Sequence, residues 1–460
     1  MNDVPGSTAT AAVDFGVQLA DKDHPASYWV ATASDAPSFP ALNTDLVTDV
    51  LVIGGGFTGL STAYHLAESG LSVAVLDAAD IGWGASGRNG GMLPPRYKKG
   101  FAYLAHAYGN DVTRRLHALI HEAIYTVEGI VEREAIACDF SRTGQLTVAH
   151  SLEALKALEA DRDWMAAEAN DDSARILDAA QTFEQVGGGQ HVGAWLDPRG
   201  AGIHPLNYVR GLASALSRRG VRIHGATPVQ RLQRNGDRMQ AQTAAGVVTA
   251  RHVVIATNAY TDLTDFAPER LEQRIVPVNT SVVCTAPLSD NLAKSVIPGR
   301  QMIADTKKIM NWYRLLPNNQ LMFGGRGDIT GRRDDHGTYV GLERQLAETF
   351  PQLSSAPIRQ RWSGKVAITL DDLPHIGRLS DRVVFAMGYG GRGVALSNLL
   401  GKYCAGLVRG ETPDLGPMSS NPFGAVPLHR FRLAGMQILA SWWRYQDRRA
   451  IRANGITRVQ

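Results

Sequence analysis

The chain is poor in cysteine, in long apolar runs and in net charge. Its three cysteines, Cys138, Cys284 and Cys404, are far apart and form no Cys-x-x-Cys pair. That excludes a disulfide scaffold and a zinc ribbon, and it fits a reducing compartment. Forty-seven basic residues against 44 acidic ones leave a net charge of +3. A nucleic-acid binder would be expected to show a basic face or tail instead. No segment reaches the roughly 18 apolar residues of a spanning helix. The longest candidate, 433–443, is interrupted by Gln437 and Ser441. Residues 1–45 are polar, without a basic start or an apolar stretch, so no signal peptide is read there. These absences predict a soluble, cytoplasmic chain without a metal site. Hydrophobic and charged fractions of 44% and 20% are globular values and exclude a disordered or fibrous chain. At roughly 150 residues per domain, the length allows two or three domains or one large composite.

Glycine, in contrast, is abundant at 47 residues, and much of it is clustered. The first cluster follows the apolar run Val50 to Ile53 and reads Gly54-Gly-Gly56-Phe57-Thr58-Gly59. A helical pattern (Leu60, Ala63, Tyr64, Leu66, Ala67) and a second strand, Ser72 to Leu76, ending at Asp77, complete a βαβ unit. This context gives a G-x-G-x-x-G run its weight as a dinucleotide fingerprint. Gly54 permits the tight turn, Gly56 lets a pyrophosphate reach the backbone, and Gly59 lets helix and strand pack closely. The helix N-terminus offers free N–H groups to phosphates. Asp77, 18 residues after Gly59, can accept from both ribose hydroxyls and repels a 2′-phosphate.

The second cluster has five glycines between positions 82 and 91, too many for a helix or a regular strand. It suits a loop passing under a flat ligand, with Ser86, Arg88 and Asn89 as donors. The third cluster, Gly388-Tyr-Gly390-Gly391-Arg392-Gly393, joins a strand (Arg382 to Met387) to a helical pattern (Val394 to Val408). A helix N-terminus there favours a ligand that develops negative charge. Leu206 to Arg219 reads as a helix, Val221 to Leu232 as a broken strand, and Arg251 to Tyr260 as a buried strand running into a turn.

With Ser27-Tyr-Trp29, His204-Pro205, Val254-Ile-Ala-Thr-Asn-Ala-Tyr260 and Asp372-Leu-Pro-His-Ile-Gly377, these clusters resemble the D-amino-acid-oxidase-type (DAO) superfamily of FAD-dependent oxidoreductases. The run Trp83-Gly-Ala-Ser-Gly-Arg-Asn-Gly-Gly91 is similar to the γ-glutamylputrescine oxidase branch. The resemblance implies an α/β fold of composite α+β kind, in which a Rossmann-like FAD-binding domain is interleaved with a mixed-sheet substrate domain. It implies that Gly54, Gly56, Phe57, Thr58, Gly59 and Asp77 hold the adenosine diphosphate half of FAD. Ala85, Ser86, Arg88, Asn89, Gly90, Gly91 and Met92 would run along ribityl and ring. Val229 would meet the adenine, Ala256 and Thr257 would flank the diphosphate, and Gly388, Gly390, Gly391, Gly393 and Val394 would line the ring.

Some relatives tether flavin through a cysteine ahead of the Asp-x-Pro region or a histidine near the second cluster. Here those places hold Trp362-Ser-Gly-Lys-Val-Ala-Ile368 and Asn89, so noncovalent FAD is expected. Sarcosine-oxidase relatives place a lysine after the C-terminal glycine turn to hold an amino-acid carboxylate. Val394 and Ala395 stand here, which counts against a small α-amino acid as substrate.

The expected division is an N-terminal arm (1–44), an FAD-binding domain (45–95, 192–265, 358–412), a substrate domain (96–191, 266–357) and a tail (413–460). The tail reads as a helix from Arg430 to Arg452 with Leu433, Met436, Leu439 and Trp443 on one face and a basic end. A helix docked on its own domain is preferred there over one lying on a membrane surface.

The chemistry expected is oxidation of an amine C–N bond by hydride transfer to flavin N5, with the imine hydrolysed to aldehyde plus amine. O2 or another acceptor would reoxidise the flavin. The expected substrate is a γ-glutamylated amine or polyamine. Competing readings are an N-methyl or cyclic amino acid oxidised on the same fold, an NAD(P) dehydrogenase, and an electron-relay flavin subunit that is not itself an enzyme. Pocket candidates are Trp312 and Tyr313 as walls, Arg326 for a distal carboxylate, Arg392 beside the ring, and Lys365 near the flavin. His204 and His375 are read as structural. The oligomeric state is left open.

Overall fold

The computed structural model describes residues 24–263, 268–326, 336–419 and 423–453. Most of the N-terminal arm, residues 1–23, lies outside them, as do 420–422 and 454–460 of the tail. The first glycine cluster sits in a βαβ unit made of strand Leu46–Ile53, helix Phe57–Ala67 and strand Val73–Leu76. Val50, Leu51 and Val52 are fully buried, as a central strand covered on both faces requires. The sheet order is His375–Arg378, Val383–Met387, Val247–Ile255, Leu46–Ile53, Val73–Leu76, Arg222–His224. All neighbours pair in parallel except His375–Arg378, which is antiparallel to Val383–Met387. The carboxyl ends at Ile53, Leu76, Ile255 and Met387 therefore open on one edge, where open α/β sheets bind ligands.

The second sheet is mixed. Its order is Ile358–Ile368, Val276–Thr285, Leu321–Gly325, Trp312–Leu315, Met302–Asp305, Gln145–Ala149, Gly193–Asp197, Arg175–Asp178. Two of these strands, Gly193–Asp197 and Ile358–Ile368, fall inside the segments 192–265 and 358–412 that the sequence reading joins to the first sheet. Pairing with Gln145–Ala149 and Val276–Thr285 puts them in the second. An apolar run reads the same in either sheet; only its hydrogen-bond partner separates the two.

The tail helix, Arg432–Ala453, docks through Met436, Ala440 and Trp443 on Val276, Val278, Val366 and Ile368. The Asp447 carboxylate accepts from the amides of Lys308 (3.0 Å) and Ile309 (3.1 Å). The buried seam thus runs 436, 440, 443, 447, and Leu439, expected on that face, is 38% exposed. No helix among the described residues is long and apolar enough to cross a membrane.

Candidate cofactor and substrate site

The carboxyl edge of the first sheet carries an open cavity built from all three glycine clusters. Gly54 takes φ +110°, and a Cβ there would lie 2.7 Å from the carbonyl oxygen of Ala256. A Cβ on Gly59 would stand 1.9 Å from the Gly54 carbonyl oxygen, so helix Phe57–Ala67 meets its strand only because that atom is missing. Gly56 caps the helix without a side-chain hydrogen bond, and Gly56, Phe57 and Thr58 line the cavity. A second helix, Gly393–Val408, also begins there without a side-chain cap, and Gly391, Gly393 and Val394 line the same space. Two positive helix ends thus face one cavity. The Thr58 and Tyr389 hydroxyls, 2.8 Å apart, join them.

Asp77 closes the other end. Its carboxylate accepts from the amides of Gly55 (2.7 Å) and Ala79 (2.9 Å). Burial outweighs these donors and raises its pKa to about 6. A carboxylate in that position gains from further hydroxyl donors. Val229, Ala256 and Thr257 complete this half of the lining.

The second cluster forms the cavity floor, with Ala85, Ser86, Arg88 and Asn89 among its lining. The Phe57 amide donates to Ser86 Oγ (2.9 Å). Successive carbonyls of the loop are held from outside. Trp362 Nε1 donates to Arg88 (2.8 Å), Trp29 Nε1 to Asn89 (2.7 Å), and Arg314 Nη1 to Gly91 (2.7 Å). Asn89 spends its own side chain inside the loop, donating to the carbonyls of Ala85 and Ser86 and accepting from the Gly91 amide. Arg88 Nε donates to the Trp83 carbonyl (2.8 Å) and its guanidinium lies 4.3 Å from the Trp83 ring centre.

Several expected cavity residues take supporting places instead. Gly59 is consumed by helix–strand packing. Gly388 donates to Asn258 Oδ1 (2.9 Å) and Gly390 to the Ala367 carbonyl (2.9 Å), so the turn is tied back. Met92 pairs with Gly202. Gly90 makes room for Trp312, since a Cβ there would lie 2.5 Å from its ring.

Of the pocket candidates, Trp312 stands against Gly90 and Gly324 on the side of the second sheet that meets the loop. Tyr313 does not. It points to the opposite face, stacked on Phe323 at 5.2 Å and edge-on to Phe350 in the core. Lys365 lines the cavity, its ammonium 5.7 Å from the Tyr260 ring centre. Arg392 caps the second helix outside the lining. Burial, and Arg96 beside it, lower its pKa to about 9.

Arg326 lies at the end of strand Leu321–Gly325, its guanidinium 5.3 Å from the Trp443 ring centre. Its Nη1 is buried without a hydrogen-bond partner among the described residues. Lys98, Lys99 and Arg326 share Asp372 as an acid, so among the described residues three cations face one carboxylate beside the 388–393 turn.

Arg314 was not foreseen. A charged residue inside an otherwise apolar strand was its only signal. His204 caps helix Pro205–Arg218, accepting from the Asn207 amide (3.1 Å), and His375 contacts Asp371 (3.2 Å) and stacks on Phe423. Both make these contacts within the chain, outside the cavity lining. His117, His121 and Asp171 have the spacing of metal ligands. However, Arg199 donates to Asp171 Oδ2 at 2.7 Å, so a cation already serves that carboxylate.

Residues 49–407 match the DAO family, described as FAD dependent oxidoreductase. The chain is 36% identical to the gamma-glutamylputrescine oxidoreductase of Escherichia coli, over 93% of this chain and 99% of that one. It is 32% identical to a probable oxidoreductase, OrdL, of Haemophilus influenzae, over 87% and 91%. In fold it is similar to glycine oxidase from Geobacillus kaustophilus (TM-score 0.70, 21% identity, 82% of this chain and 100% of that one). L-proline dehydrogenase from P. horikoshii is a further neighbour (TM-score 0.68, 21% identity, 81% and 96%). The glycine cradle, the two helix ends and the half-buried Asp77 suit an adenine dinucleotide carrying a flat ring, and the chain belongs to the DAO family of FAD-dependent oxidoreductases.

Proposed function

We propose that this chain binds FAD noncovalently and oxidises the C–N bond of a γ-glutamylated amine or polyamine in the cytoplasm. The observation that carries the substrate is the excess of cations beside the ring end of the cavity. Among the described residues, Arg326 has a buried Nη1 without a hydrogen-bond partner, and Lys98 and Lys99 share Asp372 with it. A distal carboxylate, such as that of a γ-glutamyl group, supplies the missing charge. Val394 and Ala395 follow the glycine turn, so no cation there serves a small α-amino acid. The similarity to the E. coli gamma-glutamylputrescine oxidoreductase supports the same choice.

Gly54, Gly56, Asp77 and the two helix ends would hold FAD, which when bound would supply the two-electron acceptor for oxidation of the carbon next to nitrogen. Trp312 would wall the substrate amine, whose free pKa is near that of lysine, about 10.4. An apolar wall lowers that value and keeps the amine neutral, as donation requires, without a dedicated base. Arg326 would fix the far end of the substrate and so align the reacting carbon. Lys365 would set a positive charge near the ring when the electrons arrive. The released imine hydrolyses to an aldehyde and an amine, and O2 or another acceptor takes the electrons. Asn89, engaged inside its loop, leaves no covalent tether at that position.

The test is anaerobic titration of the purified yellow protein with γ-glutamylputrescine and with putrescine. Bleaching is expected with the first at far lower concentration, and acid denaturation should free the flavin. A protein bleached by sarcosine or proline but not by γ-glutamylputrescine would overturn the substrate. One that no amine reduces would favour an electron relay.

A further inference from the structure

The tail helix is apolar on two opposite sides. The inner side docks on the second sheet through Met436, Ala440 and Trp443. The outer side presents Ile438 (74% exposed), Trp442 (54%) and Tyr445 (56%) at i, i+4 and i+7, with Phe431 (53%) ahead of them. Trp442 and Tyr445 stack at 5.6 Å. Packing within the chain accounts for the inner stripe and leaves the outer one unexplained. The charge around it is one-sided. From Leu428 to Arg452 there are six arginines (430, 432, 444, 448, 449 and 452) and a single acid, Asp447. That acid is turned inward onto the amides of Lys308 and Ile309.

We propose that this outer face rests on an anionic lipid surface. A second copy of the chain would set the arginines of one helix against those of the other, which is unfavourable. An anionic bilayer complements both features. Indole and phenol rings settle at headgroup level, isoleucine reaches the acyl boundary, and arginines meet phosphates. Because the inner side is docked along its length, the helix would lie in the interface plane rather than enter it. The chain would then be a peripheral enzyme, held reversibly by a few side chains and by charge.

Full-length holoenzyme is sedimented with phosphatidylcholine vesicles, with and without roughly a third phosphatidylglycerol, at low and high salt. Binding is expected to the anionic vesicles only, with release at high salt. The triple variant Arg444→Gln, Arg448→Gln, Arg449→Gln should partition about a hundredfold more weakly, since each arginine near the surface is worth about fivefold. Ile438→Ser with Trp442→Ser should lose about tenfold or more. Both variants should keep the yellow colour and turnover in solution, which separates lost binding from misfolding. The proposal is overturned if the wild type stays in the supernatant with anionic vesicles, or if both variants bind as it does. It is equally overturned if the protein elutes as a dimer that Ile438→Ser with Trp442→Ser turns into a monomer, or if an acidic protein partner, not lipid, retains it.

Discussion

Asp77 is a half-buried carboxylate served by two amides, with a pKa raised by desolvation to about 6. The unfolded value is near 3.9. Without cofactor, the stability contributed by this group is therefore fully present below about pH 4 and lost as pH rises through about 6. Ribose hydroxyls reverse the preference, because they donate to the ionised form. FAD affinity, measured by fluorescence titration of the apoprotein, should weaken as pH falls through about 6. Asp77→Asn should bind weakly with a flat profile. A wild-type affinity constant between about pH 5 and 8 would remove Asp77 from this role. Arg326 makes a second residue-scale prediction. A charge-assisted contact is worth about 1.5–3 kcal/mol, so Arg326→Gln should raise KM for the γ-glutamylated amine by roughly 10- to 100-fold. Turnover of an amine lacking the carboxylate should hardly change. Equal losses on both substrates in steady-state assays would show that Arg326 only supports the fold.

At the scale of elements, the two helix ends meet through Thr58 and Tyr389, and helix Phe57–Ala67 reaches its strand through Gly59. Tyr389→Phe should cost about 0.5–1.5 kcal/mol in urea unfolding. Gly59→Ala should cost about 1–3 kcal/mol or more, since the clash is with backbone, and should weaken FAD binding. These contacts also mark the boundary between what sequence does and does not disclose. The βαβ unit was legible because strand, turn, helix and acid are local in sequence. The Thr58–Tyr389 link, spanning 331 residues, has no local signature. Trp312 and Tyr313 show a subtler limit. They are adjacent on one strand, and successive strand side chains point to opposite faces, so only one can meet the loop. Which one does is settled by Gly90 and Gly324, which leave space for the indole. The tail helix was foreseen, but not its exact seam, because that depends on where Val276 and Ile368 lie beneath it.

For the whole molecule, two sheets are built by a chain that crosses between them repeatedly, which is why the segment boundaries at 192 and 358 could not be read from apolar pattern alone. The scarcity of cysteine takes on a physical meaning here. All three thiols are buried, and burial raises each pKa, that of Cys138 to about 12. Native protein should react negligibly with a thiol reagent at neutral pH and titrate three groups once unfolded. Rapid labelling of the folded protein would show that one of these regions opens.

The loop of the second glycine cluster is held by Trp29, Arg314 and Trp362, from near the start, past the middle and the last quarter of the chain. During synthesis the loop leaves the ribosome long before two of its three anchors exist. Its carbonyls must wait until Trp362 has been made, so the cradle is completed late in synthesis. A chain released early keeps the βαβ unit and its glycine turn but lacks two of the loop's three anchors. A chain cut short before Trp362 should therefore stay colourless, which absorbance of purified truncated protein would check.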